Sequence, residues 1–194
     1  MEVDIIKLFT ESMVKMNDND YIRAIILYHT APVALGYRPG VLLSFANNRR
    51  KIYDTWRNCC CDIRFSPSIE HYELNNTSNS VSVLFYNRMN LIEVLSNNEN
   101  MEFLRELGYS NPSDLQDYLM DLSLRFRLGC PHEVGMFLGI PLEDINKFIE
   151  NKGNGYIESG YWKVYSNLDR AHEVFKNCDE AKLTAAKAIL GYYQ

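Results

Sequence analysis

Few residues in this chain are suited to moving protons: it has four histidines in 194 residues. His132-Glu133 resembles the opening of H-E-x-x-H, in which two imidazoles four residues apart on one helical face hold zinc and the glutamate acts as base. Met136 stands where the second histidine belongs, so the zinc motif fails and an imidazole–carboxylate pair is left. His29 is distant in sequence; an enzyme reading joins it to His132 and Glu133 as acid and base. His71 and Glu73 share one face of any strand they occupy, a spacing common by chance. His172 falls on an expected surface helix and is given no role.

Other chemistries leave less trace. There is no G-x-S-x-G, no P-loop and no G-x-G-x-x-G, which removes the common hydrolase and nucleotide signatures. Three of the five cysteines are consecutive, Cys59, Cys60 and Cys61, and so point in different directions. They suit neither a C-x-x-C redox pair nor tetrahedral zinc, and reduced thiols are expected. No metal site and no cofactor is assigned.

The elements that must carry these residues follow from periodicity. Residues 2–16 and 19–29 read as helices, the first with Ile5, Phe9, Met13 and Met16 on one stripe. Pro32, Gly36, Pro39 and Gly40 then predict a loop with at most a short turn or strand, placing His29 at the turn after the second helix. Residues 47–60 resume a helical period with a basic cluster of Arg49, Arg50, Lys51 and Arg57, of which Arg49 to Lys51 read as a solvated helix face, with an anion-binding patch as the alternative. "CDIRFSP", "IEHYEL" and "SVSVLFY" predict strands, the last two forming a hairpin across "NNTSN" near 69–86. Val81, Val83 and Phe85 alternate with Ser80, Ser82 and Leu84, the pattern of a half-buried strand.

Helices are expected again near 88–96, 99–107 and 112–127, the last opened by Pro112. Pro131 and Pro141 each start a short helix, with Glu133 and Glu143 in the first turns and Gly129 and Gly139 as breaks. "YIESGYWKVYS" reads as a strand, followed by two closing helices at about 167–177 and 179–192. The sum is a mostly helical α+β domain with a small antiparallel sheet and a C-terminal helical region, spanning 1–194 as one unit.

Charge narrows the partners. At −5 the chain repels phosphate backbones and anionic headgroups on average. The acidic, charge-interrupted N-terminal segment is unlike a signal peptide, and no apolar run is long enough to span a bilayer; a cytoplasmic protein without membrane contact is expected. Residues 132–152 have the layout of a helix-turn-helix, with Ile145 and Ile149 facing inward. Its second helix, however, would lead with Glu143 and Asp144 where base edges and phosphates are read, so nucleic acid is not expected.

"HEVGMFLGIPLEDINKFIENKG" and "GYWKVYSNLDRAHEVF" resemble the family catalogued as domain of unknown function 3793, widespread in anaerobic Firmicutes. That family shows H-E-[IV]-G-x-F-L-G-x-P-x-x-D-[VI]-x-x-F-I-E-N-[KR]-G, then C-G-x-W-K-V-Y. Ser159 stands here in place of the second motif's cysteine, and Thr30 replaces another in the weaker match at "HTAPVALGYRPGVLLSF". The resemblance implies no established activity; it implies a link to iron or redox metabolism.

Three functions remain open. One is a non-enzymatic binding or adaptor protein that recognises a protein or small ligand through a Tyr/Trp-rich surface, with Tyr161, Trp162, Lys163 and Asn151 as binding residues. The second is an enzyme using His29, His132 and Glu133. The third is DNA binding through 132–152.

Overall fold

The computed structural model describes residues 2–59, 66–109 and 114–192. At its centre is a three-stranded antiparallel sheet, β1 (Gly40–Ala46), β2 (Glu70–Asn76) and β3 (Ser80–Tyr86), in the order β1-β3-β2. β3 takes the middle because its apolar residues run on both faces. Val81, Val83 and Phe85 pack with Phe45, Trp56 and Ile69 on one side, while Leu84 and Tyr86 pack with Leu74 and Leu91 on the other. The expected half-buried pattern therefore holds only at its start; from Val83 onward every residue is buried.

Helices cover both faces. On the first lie α2 (Asp18–Ala34) and α3 (Ile52–Cys59), with α1 (Glu2–Lys15) outside them. On the second lie α4 (Arg88–Leu95), α5 (Asn98–Glu106), α6 (Leu115–Phe126), and the short pair α7 (Val134–Phe137) and α8 (Leu142–Glu150). A two-residue ladder, β4 (Glu158–Ser159) with β5 (Lys163–Val164), leads into the long α9 (Leu168–Tyr192), which packs along α1 and α2. Asn17, Asn87, Asn97 and Asp114 cap the helices that follow them, each side chain accepting from backbone N–H groups of the first turn.

Several expectations are corrected. α2 does not stop at 29 but runs through Pro32 to Ala34, because Thr30, Pro32 and Val33 are buried and the local gain of ending the helix is outweighed. Thr30 meets the helix by donating its hydroxyl to the Ile26 carbonyl at 2.8 Å. The segment read as a loop then contains β1, a full seven-residue strand in register with β3 from Gly40↔Tyr86 to Ala46↔Ser80. The two expected closing helices are one, since nothing breaks the chain at Cys178, which is fully buried. α3 begins only at Ile52, and Arg50 before it is no solvated side chain. Its guanidinium donates to the Met13, Val14 and Met16 carbonyls at 2.8–3.1 Å, capping the end of α1, and pairs with Asp18 at 2.9 Å. The expected strand "CDIRFSP", Pro112, and Cys60 and Cys61 lie largely or wholly outside the described residues.

Candidate functional site

The signature helices are held in place by two buried carboxylates that point in different directions. Asp144, in the first turn of α8, is 2% exposed. One oxygen accepts the Trp162 indole N–H at 2.8 Å, and the other accepts the Tyr165 and Ser166 backbone N–H groups and the Ser166 hydroxyl, each at 2.9 Å. α8 is thereby fastened to the segment after β5. Glu133 is 3% exposed; it pairs with Arg125 Nε and accepts the Tyr109 hydroxyl at 3.4 Å. Arg125 also donates to the Leu107 carbonyl at 2.9 Å, so α7 is tied to the end of α5 and to α6. Burial, followed by the Glu133 charge, pushes the Tyr109 phenol up and keeps it a neutral donor.

Close approach fixes the rest. Gly139 has φ +80°, and a Cβ there would lie 2.5 Å from Pro39 Cδ, so the turn between α7 and α8 needs glycine both for its backbone and for space. Arg38, beside that contact and 8% exposed, donates Nε to the Leu138 carbonyl at 2.8 Å. At the β4–β5 turn, a Cβ on Gly160 would meet the Phe175 ring at 2.2 Å. Phe175 in turn stands edge-on to Trp162, with ring centroids 4.6 Å apart.

Between α7–α8 and the β4–β5 hairpin this arrangement leaves a cavity of about 240 Å³. Its apolar wall includes Val134, Leu138, Ile140, Ile145 and Phe148; its polar rim includes Cys130, His132, Tyr161 and Lys163. His132 is exposed, with its ring edge-on to Phe148 at 5.4 Å between centroids. The Lys163 ammonium donates to the Gly153 carbonyl at 2.7 Å and lies 4.8 Å from the centre of the Tyr156 ring and 5.7 Å from that of Phe148. The Tyr161 hydroxyl donates to Asp179 at 2.7 Å; burial and that carboxylate push the phenol well above its ordinary range.

His132, Tyr161, Trp162 and Lys163 thus line one cavity. The other nominated residues do not. Glu133, although adjacent to His132, turns away to Arg125. Asn151 caps α8, exposed, with its carbonyl taken by Asn154. His29 lies within α2 and lines a separate depression of about 790 Å³ with Tyr21, Ile25, Leu43 and Arg50; the two cavities share no lining residue. Burial, then the Lys182 charge, lowers the His29 pKa to about 4. Another depression, of about 850 Å³, includes Tyr28, His172, Asp179 and Lys182. Volume alone favours these two, but neither brings together residues of the signature segments as the smaller cavity does.

Two features escaped the sequence reading. Asp144 read as an exposed acid and is a buried acceptor, and Ile149, expected inward, is 40% exposed. Asp144, Ile145 and Phe148 form the inward face instead, an i, i+1, i+4 set that the aromatic at 148 could have signalled. Among the described residues no three His, Cys, Asp or Glu side chains gather as a metal-ligand group, and no helix is long and apolar enough to cross a membrane.

Fold and site together define a mostly helical α+β protein with a small lined cavity beneath a two-residue hairpin. Residues 26–192 match the family described as "Protein of unknown function (DUF3793)", and the chain belongs to that family. No curated protein and no solved structure matches it.

Proposed function

We propose that this is a cytoplasmic, non-enzymatic binding protein that takes a small molecule in the cavity between α7–α8 and the β4–β5 hairpin. The observation that carries the reading is the convergence of His132, Tyr161, Trp162 and Lys163, from two separate segments, on one largely apolar cavity. Apolar walls with a few fixed polar groups are the usual make-up of ligand sites, and about 240 Å³ falls just below the roughly 300–1,000 Å³ of drug-sized ligands. An acid–base enzyme is less well supported. Glu133 is occupied by Arg125 and Tyr109 away from the cavity, and His29 lines another depression. DNA reading is also weakened, because the first turn of α8 is fastened to residues 162–166 through Asp144.

The test is saturation-transfer NMR of the full chain against a fragment library, repeated with His132→Ala and Lys163→Met. Binding of small fragments that both variants weaken is expected. A defined turnover on a metabolite panel that survives both substitutions would overturn the reading.

A further inference from the structure

We infer that the cavity selects a monocarboxylate with an apolar body about one ring in size, with the Lys163 ammonium as its counter-ion; this rests on the binding reading above. Lysine has three N–H donors, and one of the three on Lys163 goes to the Gly153 carbonyl. None of the ion pairs among the described residues includes Lys163. The faces of Tyr156 and Phe148 hold the ammonium beside the cavity, so it meets a ligand already oriented.

The acid that shares the cavity does not compete for that role. Both Asp144 oxygens are covered by the four donors from Trp162, Tyr165 and Ser166, which leaves a ligand cation little of the carboxylate to bind. Behind Tyr161 stand two more cations: Arg38 lies 5.6 Å and Lys182 4.3 Å from its ring centre. Neither is in an ion pair among the described residues; the Asp179 charge acts on Lys182, whereas Arg38 is nearly buried with the Leu138 carbonyl as its acceptor. Cations withdrawn from water without a counter-ion are unfavourable, and an anion next to them offsets part of that cost. Three cations, Lys163, Arg38 and Lys182, thus stand around this wall against two carboxylates, Asp144 and Asp179, both already engaged by donors of the protein.

The rest of the lining limits the anion. Val134, Leu138, Ile140, Ile145 and Phe148 offer no polar side-chain atoms, so beyond Lys163 and His132 few donors remain. Phosphate and polyanions need several donors to replace their hydration, whereas a single carboxylate on an apolar ring needs few and buries the ring.

Matched probes test this with the full chain. Benzoate, benzamide, benzylamine and inorganic phosphate are titrated in turn by calorimetry. Benzoate is expected to bind at least about tenfold more tightly than benzamide, a difference of about 1.4 kcal/mol, with benzylamine and phosphate weaker still. Lys163→Met should abolish the benzoate preference and Lys163→Arg should keep it, with circular dichroism reporting that both variants fold. Equal binding of benzoate and benzamide would overturn the charge selection and leave the cavity reading intact, as would a preference for benzylamine or phosphate. If no probe and no library fragment binds, both fall.

Discussion

The indole N–H of Trp162 donates to the carboxylate of Asp144 at 2.8 Å, joining the first turn of α8 to the hairpin eighteen residues later. The same carboxylate collects three further donors from Tyr165 and Ser166, so it is the point where the two signature segments meet. Asp144→Ala leaves four donors without their acceptor and is expected to cost about 3 kcal/mol or more. Urea denaturation measures this, and a loss under about 1 kcal/mol would show that the network is dispensable.

Glu133 and Arg125 give a second stability test, one that also separates structure from ligand binding. Arg125→Met strands a carboxylate that is 3% exposed and should destabilise the fold by about 3–5 kcal/mol, whereas Glu133→Gln, which keeps the shape and removes the charge, should cost less. Because Glu133 does not line the cavity, Glu133→Gln is expected to leave fragment affinity within about twofold. A large loss of affinity in a folded Glu133→Gln protein would restore the residue to the site.

The lowered pKa of His29 makes stability depend on pH in a defined window. In the unfolded chain the imidazole takes a proton near 6.5, and in the folded chain only near 4. Its contribution is therefore fully present above about pH 6.5, is lost as pH falls toward 4, and changes little below that, a total on the order of 3 kcal/mol. His29→Gln should flatten that part of the stability curve, measured as the difference between the two proteins. An unchanged slope between pH 6.5 and 4 would mean that His29 protonates freely in the fold.

The fold was legible where periodicity and burial agree. The β2–β3 hairpin, the helices on either side of it and the Gly139 turn follow from alternation, helical periodicity and glycine placement. Pro32 misled, because a proline in the sequence marks a break while the burial of Thr30 and Val33 that holds α2 together depends on distant partners. Arg50 misled in the same way: its acceptors are carbonyls at the end of α1, more than thirty residues away. At the site, His132, Tyr161, Trp162 and Lys163 were visible as residue types, but nothing local distinguishes His132, which faces the cavity, from its neighbour Glu133, which does not.

Gly160 tests the packing behind the hairpin. Gly160→Ala drives a methyl into the Phe175 ring and is expected to cost about 1–3 kcal/mol. Phe175→Leu in the same chain should recover part of that loss, a non-additivity that a double-mutant cycle reads directly. Strict additivity would place the strain elsewhere.

Tyr165 tests the opposite case, a buried hydroxyl with no hydrogen-bond partner among the described residues. Removing it should relieve an unpaired polar group, so Tyr165→Phe is expected to leave the melting temperature unchanged or raise it. A clear fall would reveal a partner for that hydroxyl.

Crystals of the full chain soaked with a fragment library give the most direct measurement of where ligands go. Binding at the signature cavity predicts fragments seated between His132, Phe148 and Lys163, with any carboxylate turned toward the Lys163 ammonium. Fragments gathered in the His29 depression, with none in the smaller cavity, would contradict it.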